Sequence, residues 1–444
     1  MTKEEYCLPA LPLLCLVSMK RIASSATEHT GAKGLRHTDF VKLTIFGFAI
    51  AALWNSMYGI ILPLRVLDFA AGTEKILWIA IFTLSGYVLA MIVQPISGAI
   101  SDRSGFSWGQ RRPFILIGVL LAIIFIFGMG FAGSLIAAFV FYCLLQISTN
   151  GAQGPWQGLF PDFVPEGRRG QASGVKGLLE LVGGFAIAKL VGDLISGRYH
   201  LAEGTKLWVA LGALAAVMLV TMIITVLTVK ERPGTGGFKL PPLSTLRKSF
   251  RIDVKAQPNF VPFLISRLLF FTPLIVVRNY GLFFFKDVAG VPEPEAAMGN
   301  LIFVVGVSVL AVVYPAGHLS DRIGRRPVAI AAGFIGALGI VFLFFYYNYA
   351  FIILASCLLG ISYGTFISAN WAMAMDLVIG GEEARYLGLT NLATAGSGIL
   401  VALLGLATYF LEVDISGWGY KAMLLACCAF FIVSSLILLK IKAR

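Results

Sequence analysis

The chain has 444 residues, 58% of them hydrophobic and 13% charged, with a net charge of +12. A mean hydropathy of +0.85 excludes a water-soluble globular domain, in which charged residues make up about 25%. Its Lys and Arg are spread over the short segments between apolar runs, which excludes nucleic-acid binding as the source of the basic charge.

A helix needs about 20 apolar residues to cross the hydrocarbon of a bilayer. Twelve stretches meet that length, at approximately 41–67, 76–100, 114–132, 134–158, 174–196, 206–228, 260–285, 298–319, 327–347, 351–375, 386–410 and 420–439. Before them lies an N-terminal arm, 1–40, carrying Lys20, Arg21, Lys33 and Arg36. Its apolar run from Cys7 to Val17 follows Glu4 and Glu5, is too short to span and lacks a clear cleavage site; it reads as an extended start or a segment lying on the membrane, with a signal peptide as the alternative.

The first span places Asn55 and Tyr58 together, with Trp54 one turn from Tyr58. After the second comes a charged turn: Gly98, Asp102 and Arg103 lead to Arg111, Arg112 and Pro113. Such a turn is at home in water and costs several kcal/mol in lipid, so it marks a membrane face. In the fourth span Gln146, Asn150, Gln153 and Gln157 fall within an arc of about 60° at 100° per residue. Lipid cannot satisfy amides, so this stripe faces protein or a wet cavity; its alternatives are helix–helix bonding and substrate recognition. Pro155 removes one helix donor and predicts a kink near Gly154.

The fifth span carries Lys176 with Glu180 and Lys189 with Asp193, each pair four residues apart and able to meet on one face. Glu180 and Asp193 are the candidates for coupling a cation, because intramembrane ionisable groups are functional candidates by default. A basic, Pro- and Gly-containing loop, 230–258, then separates a first half, 41–229, from a second, 259–444. In the seventh span Arg267 and Arg278 are three turns apart and share a face; they either snorkel to the two surfaces or line the path for acceptor-rich or anionic cargo. The charged turn recurs after the eighth span, where Gly317, Asp321 and Arg322 lead to Arg325, Arg326 and Pro327, close to half a chain after the first copy. The tenth span offers Tyr363, Asn370 and Trp371. Asp162, followed by Arg168 and Arg169, closes the fourth span as Asp376, followed by Arg385, closes the tenth.

Two matching sets of six spans predict an all-α membrane protein of twelve transmembrane helices in two pseudo-symmetric six-helix bundles. The basic residues favour alternate loops, which by the positive-inside rule places both termini in the cytoplasm, as for a carrier of the plasma (inner) membrane. Asp102, Arg103, Arg111, Arg112, Asp162 and Arg169, with Asp321, Arg322, Arg325, Arg326, Asp376 and Arg385, form the expected cytoplasmic gate, bonding across the two halves when the protein opens outward.

This organisation resembles the major facilitator superfamily over about 41–440. The longer turn, from Ser101, Asp102 and Arg103 through Gly109 to Arg111, Arg112, Pro113 and Phe114, resembles that of the glycoside–pentoside–hexuronide:cation symporters and the sucrose transporters related to them. Asn150, Gln153, Gly154 and Pro155, running on to Leu159 and Asp162, are similar to the fourth helix of sucrose transporters. The resemblance implies alternating access, a polyhydroxylated substrate and a co-transported proton or other cation. One departure stands out: where proton-coupled sucrose transporters carry an aspartate in the fourth helix, this chain has Gln146, which does not ionise.

The expected function is therefore secondary active transport of a sugar or glycoside, coupled to a proton or sodium, with Asn55, Tyr58, Gln146, Asn150, Gln153, Gln157, Arg267, Arg278, Tyr363, Asn370 and Trp371 on the substrate path. A drug or metabolite exporter, a carrier of an anionic substrate and a transporter-like sensor without flux are the alternatives. No catalytic constellation, metal site or cofactor is read from the sequence.

Overall fold

A computed structural model describes residues 37–164, 169–231, 258–345, 348–377, 383–414 and 418–441. The arm before residue 37 and the central loop over 232–257 lie outside the described residues. The first helix, α1, has three pieces: an α-helix His37–Ser56, a π turn Met57–Ile61 and an α-helix Leu62–Leu67. There follow α2 (Glu74–Ser101), α3 (Arg112–Phe131), α4 (Leu135–Phe163), α5 (Arg169–Ile195) and α6 (Lys206–Thr228). The second half has α7 (Phe260–Asp287), α8 (Pro294–Ile323), α9 (Arg325–Phe345), α10 (Tyr349–Asp376), α11 (Glu383–Asp414) and α12 (Gly419–Leu438).

Eleven of these are long and apolar enough to cross a membrane. The remaining one, α5, holds Lys176, Glu180, Lys189 and Asp193, whose charges lower its hydropathy. Several helices outrun the sequence-based spans by a few residues, α4 reaching Phe163 and α11 starting at Glu383, because a helix continues into the polar region once its hydrogen-bond ladder is running. Pro155 does not end α4, which continues through it.

Local signals set the boundaries. Ser134 caps α4 by accepting from the Ala137 N–H at 3.2 Å, and Asn348 caps α10 by accepting from Ala350 at 2.9 Å. Gly324, at φ 98°, ends α8 in a conformation open to glycine, and α9 starts at the next residue.

Within the halves α1 packs on α5, and α4 lies against α2 and α3. Across the seam α2 packs on α11 and α5 on α8. Shifting by six helices turns one contact into the other, so these two crossings are symmetry mates. Small residues bring helices together where lipid offers no hydrophobic drive: a methyl on Gly154 of α4 would come within 2.2 Å of the Gln94 carbonyl oxygen of α2.

Candidate functional site

The π turn of α1 carries Tyr58, buried at 6% exposure. Such a turn inserts one extra residue and re-aims the side chains around it, and is common at functional sites. The Tyr58 hydroxyl lies 2.7 Å from that of Tyr142. Gln146 donates from Nε2 to both hydroxyls, at 2.8 Å each, while its Oε1 accepts from Asn150 Nδ2 at 2.9 Å. The first amide of the predicted stripe therefore reads two tyrosine hydroxyls inside the first half, the second bonds the first, and both are buried. The third, Gln153, is half-buried. The last, Gln157, accepts from Gln94 Nε2 of α2 at 2.8 Å. Trp54 and Tyr87 complete an aromatic wall around Tyr58, with ring centroids 5.5 and 6.2 Å away. Asn55 donates to the Ala51 carbonyl at 3.0 Å, one turn back in its own helix.

The second half faces this wall with α7. The Arg278 guanidinium sits 4.8 Å over the Tyr58 ring and donates to the Tyr87 hydroxyl at 3.2 Å. Its neighbour Asn279 donates to Thr83 Oγ1 of α2 at 3.0 Å. Arg278 thus joins the halves; it does not snorkel to a surface. Arg267, 5% exposed, donates from Nε to Thr394 Oγ1 of α11 at 2.9 Å and from Nη1 to Asn370 Oδ1 of α10, and stacks 5.0 Å over Phe271. Phe271 packs edge-on to Tyr363 at 5.9 Å. Tyr363 lies within electrostatic reach of Arg267, Arg278 and Glu180, so it marks the place where the two halves converge. Trp371, 41% exposed, takes no part in the Arg267 cluster.

Both charge pairs of α5 form. Lys176 Nζ is 3.6 Å from Glu180 and lies 5.2 Å over the Trp156 ring. Trp156 in turn donates to the Leu43 carbonyl of α1 at 2.8 Å. Asp193 is held by Lys189 and by Arg198, the latter at 3.4 Å. Two cations on one nearly buried carboxylate leave Glu180 the less committed of the two coupling candidates.

In this conformation the first charged turn is bonded within its own half. Arg111, 8% exposed, reaches Asp102 and Asp162 at 2.8 Å each, and lies so close over Gly158 that a methyl there would be 1.2 Å from Nη1. Arg112 donates to the Val226 carbonyl at 2.7 Å and the Trp108 carbonyl at 2.9 Å. Glu231, just past α6, accepts from the backbone N–H of Arg111 at 2.8 Å. Its carboxyl is pushed up by burial, against the downward pull of the Arg111 and Arg112 N–H groups and side chains. In the second copy Arg325 donates to the Ala372 carbonyl and Arg326 to that of Leu439. Asp321 and Arg322 are exposed, and Arg103 is half-buried. The side chains of Arg169, Asp376 and Arg385 lie outside the described residues.

At the end of the bundle away from these turns the seam is latched. Lys75 at the start of α2 and Asp287 at the end of α7 form an ion pair of 2.6 Å. Tyr420 also donates to Asp287, at 3.0 Å. Sequence reasoning missed Tyr87, Tyr142, Thr394, Lys75 and Asp287. Tyr142 had a signal, standing four residues before Gln146; the others lie in ordinary apolar spans or loops.

Twelve helices in two sixes around a polar seam define a membrane carrier of the major facilitator superfamily. More narrowly, the chain belongs to the family of MFS/sugar transport proteins, which matches residues 71–439. Among its relatives, the rice sucrose transport protein SUT5 (Oryza sativa subsp. indica) is 23% identical, aligned over 82% of each chain. The general alpha-glucoside permease of Schizosaccharomyces pombe is 24% identical over 52% of this chain. The lactose permease of Lactobacillus helveticus is 22% identical over 60%. The chain spans under half the length of each of those two permeases, 44%. Its fold is similar to that of a D-xylose–proton symporter, with a TM-score of 0.70 at 15% identity, covering 91% of this chain and 97% of the other. It is similar also to the nucleoside transporter NupG, with a TM-score of 0.68 at 15% identity, covering 91% and 100%. The chain is a multi-pass membrane protein of a transport family, not of an enzyme family.

Proposed function

We propose that this protein is a secondary active transporter that moves a sugar or glycoside across the membrane by alternating access. The observation that carries this reading is the wall of Trp54, Tyr58, Tyr87 and Tyr142, wired to Gln146 and closed from the other half by Arg278. Aromatic faces stack on the C–H surfaces of a sugar ring, while amide, hydroxyl and guanidinium groups read its hydroxyls. The sucrose, lactose and alpha-glucoside carriers among its relatives are consistent with such cargo.

Both termini lie in the cytoplasm on this reading, which makes the Lys75–Asp287 end the outer one and this conformation inward-facing. The two charged turns are then cytoplasmic gate elements, bonded within their halves while the gate is open. Glu180 takes the coupling proton or other cation: it has a single, loose partner in Lys176, whereas Asp193 is held by two cations and Gln146 does not ionise.

The test is uptake by proteoliposomes of labelled disaccharides and glycosides, with and without a proton or sodium gradient. Gradient-driven accumulation that Glu180→Gln reduces to simple equilibration supports the proposal. Binding without flux indicates a sensor, and export of lipophilic cations in place of sugar indicates an exporter; either overturns it.

A further inference from the structure

The central groups contributed by the second half are rich in donors and poor in acceptors. A guanidinium has five N–H donors and no acceptor. Arg267 uses one on Thr394 and one on Asn370, both neutral groups. Arg278 uses one on Asn279 and one on Tyr87, again neutral. Among the described residues neither arginine has a carboxylate within ion-pair distance, although Arg267 is 5% exposed. A charge removed from water without a counter-charge costs several kcal/mol. The nearby carboxylate, Glu180, is already matched by Lys176. The middle of the protein therefore carries the uncompensated charge of two guanidiniums around Tyr363.

A second observation comes from Asn370. The residue is fully buried, and its Oδ1 must face Arg267, because turning the amide would set donor against donor. Its Nδ2 is thereby aimed away from Arg267 and has no partner. An orphaned buried donor costs about 1–3 kcal/mol, so the amide and the guanidinium together present N–H groups to something that accepts.

We propose that Arg267 and Asn370 form an oxyanion subsite, so that the cargo carries a carboxylate or phosphate group held by the second half. Thr394 fixes the Arg267 head group from α11, and Phe271 supports its flat face. Planar guanidinium matches both oxyanions, by paired N–H donors. This inference rests on the transport reading and narrows it from sugars in general to acidic ones.

The experiment is equilibrium dialysis of the purified full chain in nanodiscs against methyl glucuronide, glucose phosphate and methyl glucoside. At least one of the two acidic probes should bind about tenfold or more tightly than the glucoside. Whichever does so identifies the oxyanion. Arg267→Gln should bring that ratio close to one, by weakening the acidic probe about tenfold or more relative to the glucoside. Asn370→Asp provides the control for folding, since it replaces the ligand's charge with a carboxylate beside Arg267; it should also abolish the preference. Glucoside binding equal to or tighter than that of both acids overturns the subsite and leaves the sugar-carrier reading standing, as does a preference that survives both substitutions. Failure of every probe to bind overturns both.

Discussion

Lys75 and Asp287 come from different halves of the molecule and meet at 2.6 Å, at the end opposite the charged turns. The pair stands above the contacts that Arg278 makes with Tyr58 and Tyr87 and that Asn279 makes with Thr83. All of these must break for the protein to open at that end. The side chains are 12% and 25% exposed, so the pair contributes about 1 kcal/mol to closure. Lys75→Ala should shift the two-state equilibrium about fivefold towards the form open at this end, read as spin-label distances across the α2–α7 mouth. An unchanged distance distribution would show that the pair is ornamental.

Tyr142 supplies one of two hydroxyls that saturate the Gln146 amide inside the first half. Tyr142→Phe keeps the ring and leaves a buried amide donor unmatched, at a cost of about 1–3 kcal/mol. Thermal unfolding should fall accordingly, and sugar affinity should drop because Tyr58 loses its bridge. A variant as stable as the parent would mean that water replaces the hydroxyl.

Gly158 is the floor on which Arg111 lies. A methyl at this position would overlap the guanidinium, 1.2 Å from Nη1 and 2.1 Å from Cζ. Gly158→Ala should therefore eject Arg111 from Asp102 and Asp162, costing about 1–2 kcal/mol given that both carboxylates are half exposed. Transport should slow while substrate affinity holds, as for Asp102→Asn. Full turnover in both variants would separate the charged turn from gating.

Glu231 predicts a pH dependence. Burial raises its carboxyl above the ordinary value near 4.3. For a raised carboxyl, the stability it contributes is fully present below the unfolded value and is lost as pH rises through the folded one. Glu231→Gln keeps an acceptor for the Arg111 N–H and removes that loss. The variant should therefore gain in melting temperature relative to the parent between pH 4 and pH 7, and a constant difference across that window would contradict the assignment.

The twelve helices and their division into sixes were legible because hydropathy and charged turns both report the bilayer, a constraint acting on every residue of a span. Candidate site residues stood out where a polar side chain stood in an apolar helix, as with Gln146, Asn150, Arg267, Arg278 and Asn370. What these groups touch was not. A helical wheel places Gln157 on the same stripe as Gln146, yet one binds Gln94 and the other two tyrosines. Tyr87 gave no signal because an aromatic ring in an apolar span is ordinary until a guanidinium is found on its hydroxyl. The π turn that carries Tyr58, Met57–Ile61, is a run of apolar and small residues with no local pattern to set it apart from the rest of the span.

The most direct test of alternating access ties the latched end shut. In a background with the six native cysteines replaced by alanine, K75C and D287C are combined and joined by a short thiol-reactive cross-linker carrying a cleavable disulfide. Sugar uptake into proteoliposomes should stop on cross-linking and return on reduction, with neither single variant affected by the reagent. Uptake that continues at full rate in the cross-linked protein would contradict a path that opens between the two halves at this end.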